Sequence, residues 1–166
     1  MTERDKRIIA GVYHLSKDLG RHFSLVDINI QVTHGEFVFL DGPSGAGTST
    51  LLRMIYMDER PDTGQIVVGP HGSTRVPRKT IPELRRRIGI VVQDFRLIED
   101  RTVFENIALA MKVTGTQMSE IKQRVTEILT YVGLYHKRHD FPLALSGGEQ
   151  QRVAIARAVA NRPAIL

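Results

Sequence analysis

A glycine-rich stretch at residues 42–50, GPSGAGTST, has the residue types that a phosphate-binding loop requires. It follows the pattern G-x-x-x-x-G-K-[ST], whose glycines let successive backbone N–H groups point at phosphate oxygens. An apolar run precedes the stretch and a helical pattern follows it, which brings the N-terminus of a helix to the anion. The predicted nucleotide-binding residues are Gly42, Pro43, Ser44, Gly45, Ala46, Gly47, Thr48, Ser49 and Thr50.

Residue 48 departs from this pattern, because threonine stands where the motif has lysine. A lysine ammonium reaches the β- and γ-phosphates, whereas the threonine side chain is shorter and neutral. A hydrogen bond to a charged group contributes about 1.5–3 kcal/mol, so nucleotide affinity is predicted to fall by about 10–100-fold. The backbone donors remain, so we expect weak nucleotide binding and a larger loss of catalysis. The hydroxyl of Ser49 is the predicted ligand of Mg²⁺.

A second candidate anion site lies in LSGGEQQR at residues 145–152. Ser146 and Glu149 have the S-x-x-E spacing of a capping box, so a helix is predicted to begin here. Gly147 and Gly148 leave the first-turn N–H groups uncovered, and a bare helix N-terminus attracts anions. The pattern S-G-G-E alone favours the alternative, a well-capped helix that binds nothing.

The whole octapeptide resembles the signature motif of ABC-type ATPases, and the resemblance extends over nearly the full chain. VVQDF at 91–95 is similar to the Q-loop of that family, in which a glutamine contacts Mg²⁺ and the attacking water; Gln93 is at that position. The segments GEFVFLDGPSGAG, QDFRLIEDRTVFENIAL and LSGGEQQRVAIARA are most similar to cell-division ATPases of the FtsE type. The ATPases of lipoprotein release and macrolide export share much of this sequence and are the alternative.

The resemblance implies an α/β fold with a P-loop NTPase (RecA-like) core, an antiparallel β subdomain and an inserted α-helical subdomain. It also implies a nucleotide-bound homodimer in which ATP lies between the loop of one chain and the signature motif of the other. Ser146, Gly147, Gly148 and Glu149 would then act in trans, and Mg²⁺ would be held with ATP through Ser49 and Gln93. The implied partner is a permease-like integral membrane protein, and this chain is expected to be cytoplasmic and peripheral on the inner face of the bacterial cell membrane.

The adenine site departs from the family, which usually has an aromatic residue that stacks on the base. Aligning HLSKDLG at 14–20 puts Leu19 at that position, and Tyr13 or Phe23 are alternatives. An aliphatic side chain still supplies an apolar platform but lacks the aromatic stacking contribution.

The last departure is at the end of the sequence, NRPAIL at 161–166, which resembles the start of the Walker B strand. In the family the catalytic glutamate, the magnesium-linked aspartate and the switch histidine follow this point, so the fold is expected to be incomplete at the C-terminus. The parent family hydrolyses ATP, whereas this chain is predicted to bind ATP weakly and not to hydrolyse it. A non-hydrolysing scaffold or interaction subunit is the alternative from another functional class.

Hydrophobic patterning divides the chain into a sheet-rich part at about 1–92 and a helix-rich part at about 94–160. The resemblance implies that they belong to a single, partial ATPase domain over 1–166, with the nucleotide-binding α/β and β subdomains at about 1–92, the helical subdomain with the signature motif at about 94–160 and the start of Walker B at 161–166. Strands are predicted at 24–32, 37–40, 65–69 and 88–92, helices at 50–57 and 83–87, and a surface loop at 70–82. A further helix is predicted behind Ser119 as its N-cap. The core residues predicted for this helix are Ile121, Val125, Ile128, Leu129 and Val132.

Composition limits the remaining functions. The chain has 166 residues, a net charge of +5 and no cysteine, which excludes disulfides and thiolate metal sites. No apolar run approaches the roughly 18 residues of a membrane span. The basic residues are scattered apart from Arg85, Arg86 and Arg87, so no nucleic-acid partner is predicted. The six histidines show no metal-ligand spacing.

Overall fold

The computed structural model describes residues 7–20, 24–69, 71–72 and 78–166, and it divides into two compact units. The first unit contains the described residues up to Arg85 together with Ile165, and the second contains residues 86–164 together with Leu166. The phosphate-loop stretch lies in the first unit, whereas Gln93 and the signature stretch lie in the second.

The first unit contains an antiparallel sheet of four strands in the order β2-β1-β3-β4. The strands are β1 (Ile8–Asp18), β2 (Ser24–Thr33), β3 (Thr63–Val68) and β4 (His71–Gly72). In the register, Val12 of β1 faces Ile30 on one side and Ile66 on the other. The alternation that predicted β2 is confirmed, because Ile28 and Ile30 are half-buried and each lies between two exposed residues.

Two short helices complete the regular structure of this part of the chain. Helix α1 (Thr48–Ile55) buries Leu51 and Met54, and helix α2 (Ile81–Arg86) buries Leu84. Both predicted helices are therefore confirmed, with bounds shifted by one or two residues. The loop predicted at 70–82 contains β4 and the start of α2, and residues 70 and 73–77 lie outside the described residues.

The predicted strands at 37–40 and 88–92 are wrong for this structure. Phe37 and Phe39 are 81% and 84% exposed, and their rings pack edge-to-face with centroids 4.8 Å apart. Ile88 has only an isolated bridge position, and residues 89–92 have no strand. A strand requires hydrogen-bond partners along its length, and no neighbouring strand pairs with 37–40 among the described residues. An apolar run alone predicts burial but cannot supply that partner.

The second unit is helical. It contains α3 (Val103–Lys112), α4 (Met118–Tyr131), two 3₁₀ helices (Tyr135–Lys137 and Pro142–Ala144) and α5 (Gly147–Val159). Helix α3 begins at a capping box formed by Thr102 and Glu105. The three α-helices and the residues that flank the 3₁₀ helices share one core, made of Val103, Ile107, Ala108, Met111, Ile121, Val125, Ile128, Leu129, Leu134, Leu145, Val153, Ala156 and Ala160.

Helix α4 confirms the predicted core face but corrects the predicted N-cap. Four of the five predicted core residues are buried, and Val132 is half-buried at the C-cap. Ser119 lies inside the first turn, because the extended residue Gln117 already accepts the first helical hydrogen bond from the Ile121 N–H at 3.0 Å. Gln117 makes no side-chain capping bond. Within the described ranges, no helix is both long enough and apolar enough to span a membrane.

Candidate nucleotide-binding site

The phosphate-loop stretch turns sharply before α1. Gly45 has φ +86° and Gly47, the N-cap residue of the helix, has φ +85°. This left-handed region costs glycine little but strains other residues, so both positions explain the glycines of the motif. The loop is closed by a hydrogen bond from the Ala46 N–H to the Pro43 carbonyl oxygen at 2.9 Å.

The helix that follows offers unclaimed donors to an anion. Among the residues that the structure describes, no side chain caps the N-terminus of α1, and the first turn contains no acidic residue. The first N–H groups of a helix have no intrahelical acceptor, so they are available to a ligand and carry the positive end of the helix dipole. Ser49 is exposed in this first turn, and a Cβ placed on Gly45 would meet no atom within 4 Å. The backbone of the loop therefore fits a phosphate group.

The charges of the loop fit a phosphate less well. Thr48 is half-buried and neutral, so no side-chain cation comes from the stretch itself. Asp41, immediately before it, accepts a hydrogen bond at Oδ1 from the Gly42 N–H at 2.7 Å. A carboxylate thus uses one backbone donor at the entrance of the loop and places a negative charge there.

The three residues considered for contact with the adenine base differ in where the structure places them. Leu19 lies beside the loop, since a Cβ placed on Gly47 would be 3.2 Å from Leu19 Cδ1. The ring of Tyr13 covers Gly11 of β1. Phe23 lies outside the described residues. Leu25, which the sequence analysis did not assign to the site, also lies beside Gly47, at 3.0 Å from the same Cβ position.

The signature stretch forms the capping box that its spacing predicted. Ser146 is the N-cap residue of α5; its Oγ accepts from the Glu149 N–H at 3.4 Å, and Glu149 Oε2 accepts from the Ser146 N–H at 2.9 Å. The Ser146 hydroxyl also donates to Glu149 Oε2 at 2.9 Å. The first turn of α5 is therefore fixed by reciprocal bonds at its N-terminus.

Glu149 has a further partner that the sequence did not predict. Lys137 is the last residue of the first 3₁₀ helix, Tyr135–Lys137, and its Nζ lies 2.7 Å from Glu149 Oε1. The Lys137 ammonium, followed by the N–H and hydroxyl of Ser146, lowers the pKa of Glu149 to about 2. The carboxylate is therefore ionised and held on both oxygens.

The two signature glycines leave the start of α5 open. A Cβ on Gly147 would meet nothing within 4 Å, and one on Gly148 would lie 4.0 Å from Arg152 Nη1. Arg152 is exposed and has no ion pair in the described part of the second unit. Uncovered N–H groups beside a guanidinium are a suitable environment for a phosphate oxygen.

Gln93 lies exposed in a turn at the start of the Q-loop. Two and three residues after Gln93, Phe95 and Arg96 have φ of 56° and 45°. This left-handed conformation is uncommon for residues other than glycine. Arg157 of α5 holds both: its Nη2 donates to the Phe95 carbonyl oxygen at 2.6 Å and its Nη1 to that of Arg96 at 2.7 Å. Burial lowers the pKa of the Arg157 guanidinium. The sequence analysis missed this contact, although Arg157 belongs to the segment that carried the family resemblance.

The predicted magnesium ligands, Ser49 and Gln93, lie in different units. Within 7–20, 24–69, 71–72 and 78–166, no group of three or more histidine, aspartate or glutamate side chains could hold a metal ion.

Comparison with known proteins identifies the family. The ABC transporter family model matches residues 25–166. The cell division ATP-binding protein FtsE of Bacillus subtilis (strain 168) is 50% identical over 143 residues, which are 86% of this chain and 63% of that protein. FtsE of Escherichia coli (strain K12) is 47% identical over 154 residues, which are 92% of this chain and 69% of that protein. The chain thus spans less than the full length of both relatives.

A solved structure confirms the predicted fold. The dimeric post-hydrolysis state of an ATP-binding cassette, bound to ADP and phosphate, matches with a TM-score of 0.81 and 33% identity. The match covers 93% of this chain and 70% of that one. The chain therefore belongs to the ABC transporter family of ATP-binding cassettes and is a homologue of the cell-division ATP-binding protein FtsE.

Proposed function

We propose that this chain binds Mg-ATP at residues 42–50 as the ATP-binding subunit of a membrane-associated complex in bacterial cell division. The observation that carries the proposal is the loop itself, in which left-handed Gly45 and Gly47 lead into the uncapped N-terminus of α1. That arrangement offers several N–H donors and a helix dipole to one polyphosphate. The FtsE relatives supply the biological setting.

Magnesium would be held with the nucleotide. Ser49 would contribute its hydroxyl and Gln93 its side-chain oxygen, while the ion would offset the charge of the β- and γ-phosphates. Leu19 and Leu25, beside Gly47, would give the base an apolar platform in place of an aromatic ring. The roles of Ser49 and Gln93 follow the family pattern, whereas the apolar platform departs from it.

Nucleotide binding is expected to be weak and hydrolysis absent. Thr48 supplies no ammonium to the phosphates, and Asp41 adds a negative charge at the entrance of the loop. Charge that develops during phosphoryl transfer would therefore lack its main side-chain counter-charge. The chain would bind ATP as an assembly signal more effectively than it would use it as a substrate.

We also propose a nucleotide-dependent homodimer. Ser146, Gly147 and Gly148 would contact the γ-phosphate held by the partner copy, since the start of α5 is open and lies beside the free guanidinium of Arg152. The related cassette of known structure is dimeric and binds ADP and phosphate. The assembly would act with a permease-like integral membrane protein on the cytoplasmic face of the cell membrane.

A non-hydrolysing scaffold is the second candidate. The observation that favours it is the charge of the loop, which has no cation at 48 and a carboxylate at 41. A scaffold would bind its membrane partner whether or not ATP is present, whereas the ATP-binding subunit requires measurable affinity for Mg-ATP.

Equilibrium dialysis of Mg-ATP separates the two candidates. We expect weak binding by the unmodified chain and about 10–100-fold tighter binding by Thr48→Lys. Thr126→Lys on the exposed side of α4 is the matched control, because it makes the same chemical change in the second unit; it should leave the affinity unchanged. If neither the unmodified chain nor Thr48→Lys binds Mg-ATP, the scaffold is favoured and nucleotide binding is excluded.

A further inference from the structure

Glu149 presents a problem for the anion site that its own capping box forms. Its Oε2 accepts hydrogen bonds from the N–H and the hydroxyl of Ser146, both at 2.9 Å. A full negative charge thus lies at the N-terminus of α5, where the family resemblance expects a phosphate. The carboxylate and a phosphate bound at the start of α5 would repel each other, so a Glu149 carboxylate without a cationic partner would weaken phosphate binding.

The Ser146 hydroxyl has a second constraint. Its only hydrogen is donated to Glu149 Oε2, while its oxygen accepts from the Glu149 N–H. A hydroxyl has one donor, so Ser146 can donate to a phosphate only after its hydrogen leaves the carboxylate. Any group that draws charge from the carboxylate makes that exchange easier.

We propose that Lys137 is a positioning residue of the signature site, which cancels the charge of Glu149 so that a phosphate can bind at Ser146–Gly148. Its Nζ lies 2.7 Å from Glu149 Oε1, the oxygen that Ser146 does not use. The two side chains are 27% and 17% exposed, so solvent screens the pair less than an ordinary surface ion pair. The inference rests on the proposed phosphate-binding role of the signature stretch.

Lys137 also leaves the rest of the site free for the ligand. Because the ammonium binds the far oxygen of the carboxylate, the N–H groups of Gly147 and Gly148 stay uncovered. Arg152 Nη1 lies near Gly148 and is the cation placed to contact the phosphate directly. The roles are therefore divided: Arg152 attracts the anion, and Lys137 removes the repulsion from Glu149.

Inorganic phosphate is a suitable probe, because it tests this site without a second copy of the chain. Amide chemical shifts of Gly147 and Gly148 would be followed by NMR during phosphate titration at constant ionic strength. We expect Lys137→Met to weaken phosphate binding about tenfold, because the Glu149 carboxylate would then repel the phosphate without a neighbouring cation. The affinity of Lys137→Arg for phosphate should stay within about twofold of that of the unmodified chain.

The double variant Lys137→Met/Glu149→Gln distinguishes charge from structure. Glutamine also serves at the third position of a capping box, so the helix start is preserved while the carboxylate charge is removed. We expect this variant to bind phosphate as the unmodified chain does. Binding as weak as that of Lys137→Met would mean that the lysine acts only structurally, and unchanged binding in Lys137→Met would also overturn the inference.

The same spectra keep this inference separate from the proposed function. Absence of phosphate-dependent shifts at Gly147 and Gly148 in the unmodified chain would overturn the role of Lys137. Shifts of Gly45 and Gly47 on addition of Mg-ATP would still support nucleotide binding at the phosphate loop. Loss of both sets of shifts would reject both proposals.

Discussion

Arg157 and Phe95 are joined by a hydrogen bond of 2.6 Å between Nη2 and the carbonyl oxygen, across 62 residues of sequence. The same guanidinium holds the carbonyl oxygen of Arg96 at 2.7 Å. Both Phe95 and Arg96 have left-handed backbones, which cost energy and persist only where the surroundings stabilise them. Helix α5 thus fixes the backbone of the two residues that lie two and three positions after Gln93.

Replacing Arg157 with lysine should release the Q-loop. An ammonium is a point charge and cannot reproduce the two parallel bonds of a guanidinium. Loss of one charge-assisted bond, about 1.5–3 kcal/mol, should speed amide exchange at residues 94–97 by about 10–100-fold. Hydrogen exchange measured by NMR checks this, with Arg152→Lys on the exposed side of α5 as the control. Exchange rates equal to those of the unmodified chain would show that other contacts hold the loop.

Asn106 is expected to be a major stabilising residue of the second unit. It is fully buried, and its Oδ1 accepts from the Ile98 N–H at 2.8 Å. Its Nδ2 has two hydrogens and lies 3.0–3.1 Å from three carbonyl oxygens, those of Ile98, Arg101 and Thr102, so one hydrogen is shared. Leucine fills a similar volume but removes the partner of the Ile98 N–H and of the Arg101 carbonyl oxygen, each at a cost of about 1–3 kcal/mol, whereas the carbonyl oxygens of Ile98 and Thr102 keep a backbone N–H donor.

Asn106→Leu should therefore lower the free energy of unfolding by about 2–5 kcal/mol, because two backbone groups lose their partners. Urea unfolding followed by circular dichroism gives the value. Gln123→Leu, a similar substitution at an exposed position of α4, should change it by less than about 0.5 kcal/mol. Equal effects of the two substitutions would contradict the role of the buried amide.

The capping boxes show what the sequence could predict. The S-x-x-E spacing of Ser146 and Glu149 is local, and local hydrogen bonds depend on neighbouring residues alone, so the structure confirms the helix start. The half-buried β2 was predicted for the same reason, because alternation along a strand is a local pattern. The glycines at 45 and 47 likewise follow from the φ that the turn needs.

Phe37 and Lys137 show where sequence reasoning ends. The apolar run at 37–40 predicts a buried strand, yet pairing depends on residues distant in the chain, and no described strand lies beside it. The ion pair between Lys137 and Glu149 joins a 3₁₀ helix to an α-helix, and no characteristic spacing in the sequence predicts such a pair. The periodicity of apolar residues along the sequence predicts neither which strands pair nor which side chains of separate elements meet.

The pKa of Glu149 predicts a pH dependence of stability. Because Lys137 and Ser146 favour the ionised form, the folded-state pKa is about 2, below the ordinary value of 4.5. A group with a lowered folded-state pKa stabilises the fold above its unfolded value, and this contribution is lost as pH falls through the folded value. The contribution should therefore disappear between about pH 4.5 and pH 2.

Two measurements check this. Carbon NMR of the Glu149 carboxyl should give a pKa of about 2 in the unmodified chain and a higher one in Lys137→Met. The difference in unfolding midpoint between the unmodified chain and Glu149→Gln should shrink as the pH falls through the same range. A Glu149 pKa near 4.5 would show that the ion pair does not form in solution.

Asp41 should oppose nucleotide binding. Its carboxylate accepts from the Gly42 N–H at 2.7 Å, at the entrance of the loop that would hold several phosphate charges. Asparagine can accept the same bond through its amide oxygen but carries no charge. Asp41→Asn should therefore bind Mg-ATP about 3–10-fold more tightly at low salt, and the gain should fall as salt screens the exposed charge.

Asp100→Asn, which removes the same charge from an exposed turn of the second unit, should leave the affinity unchanged in equilibrium dialysis. Equal affinities of the unmodified chain and Asp41→Asn at low salt would mean that the bound phosphates lie far from this carboxylate.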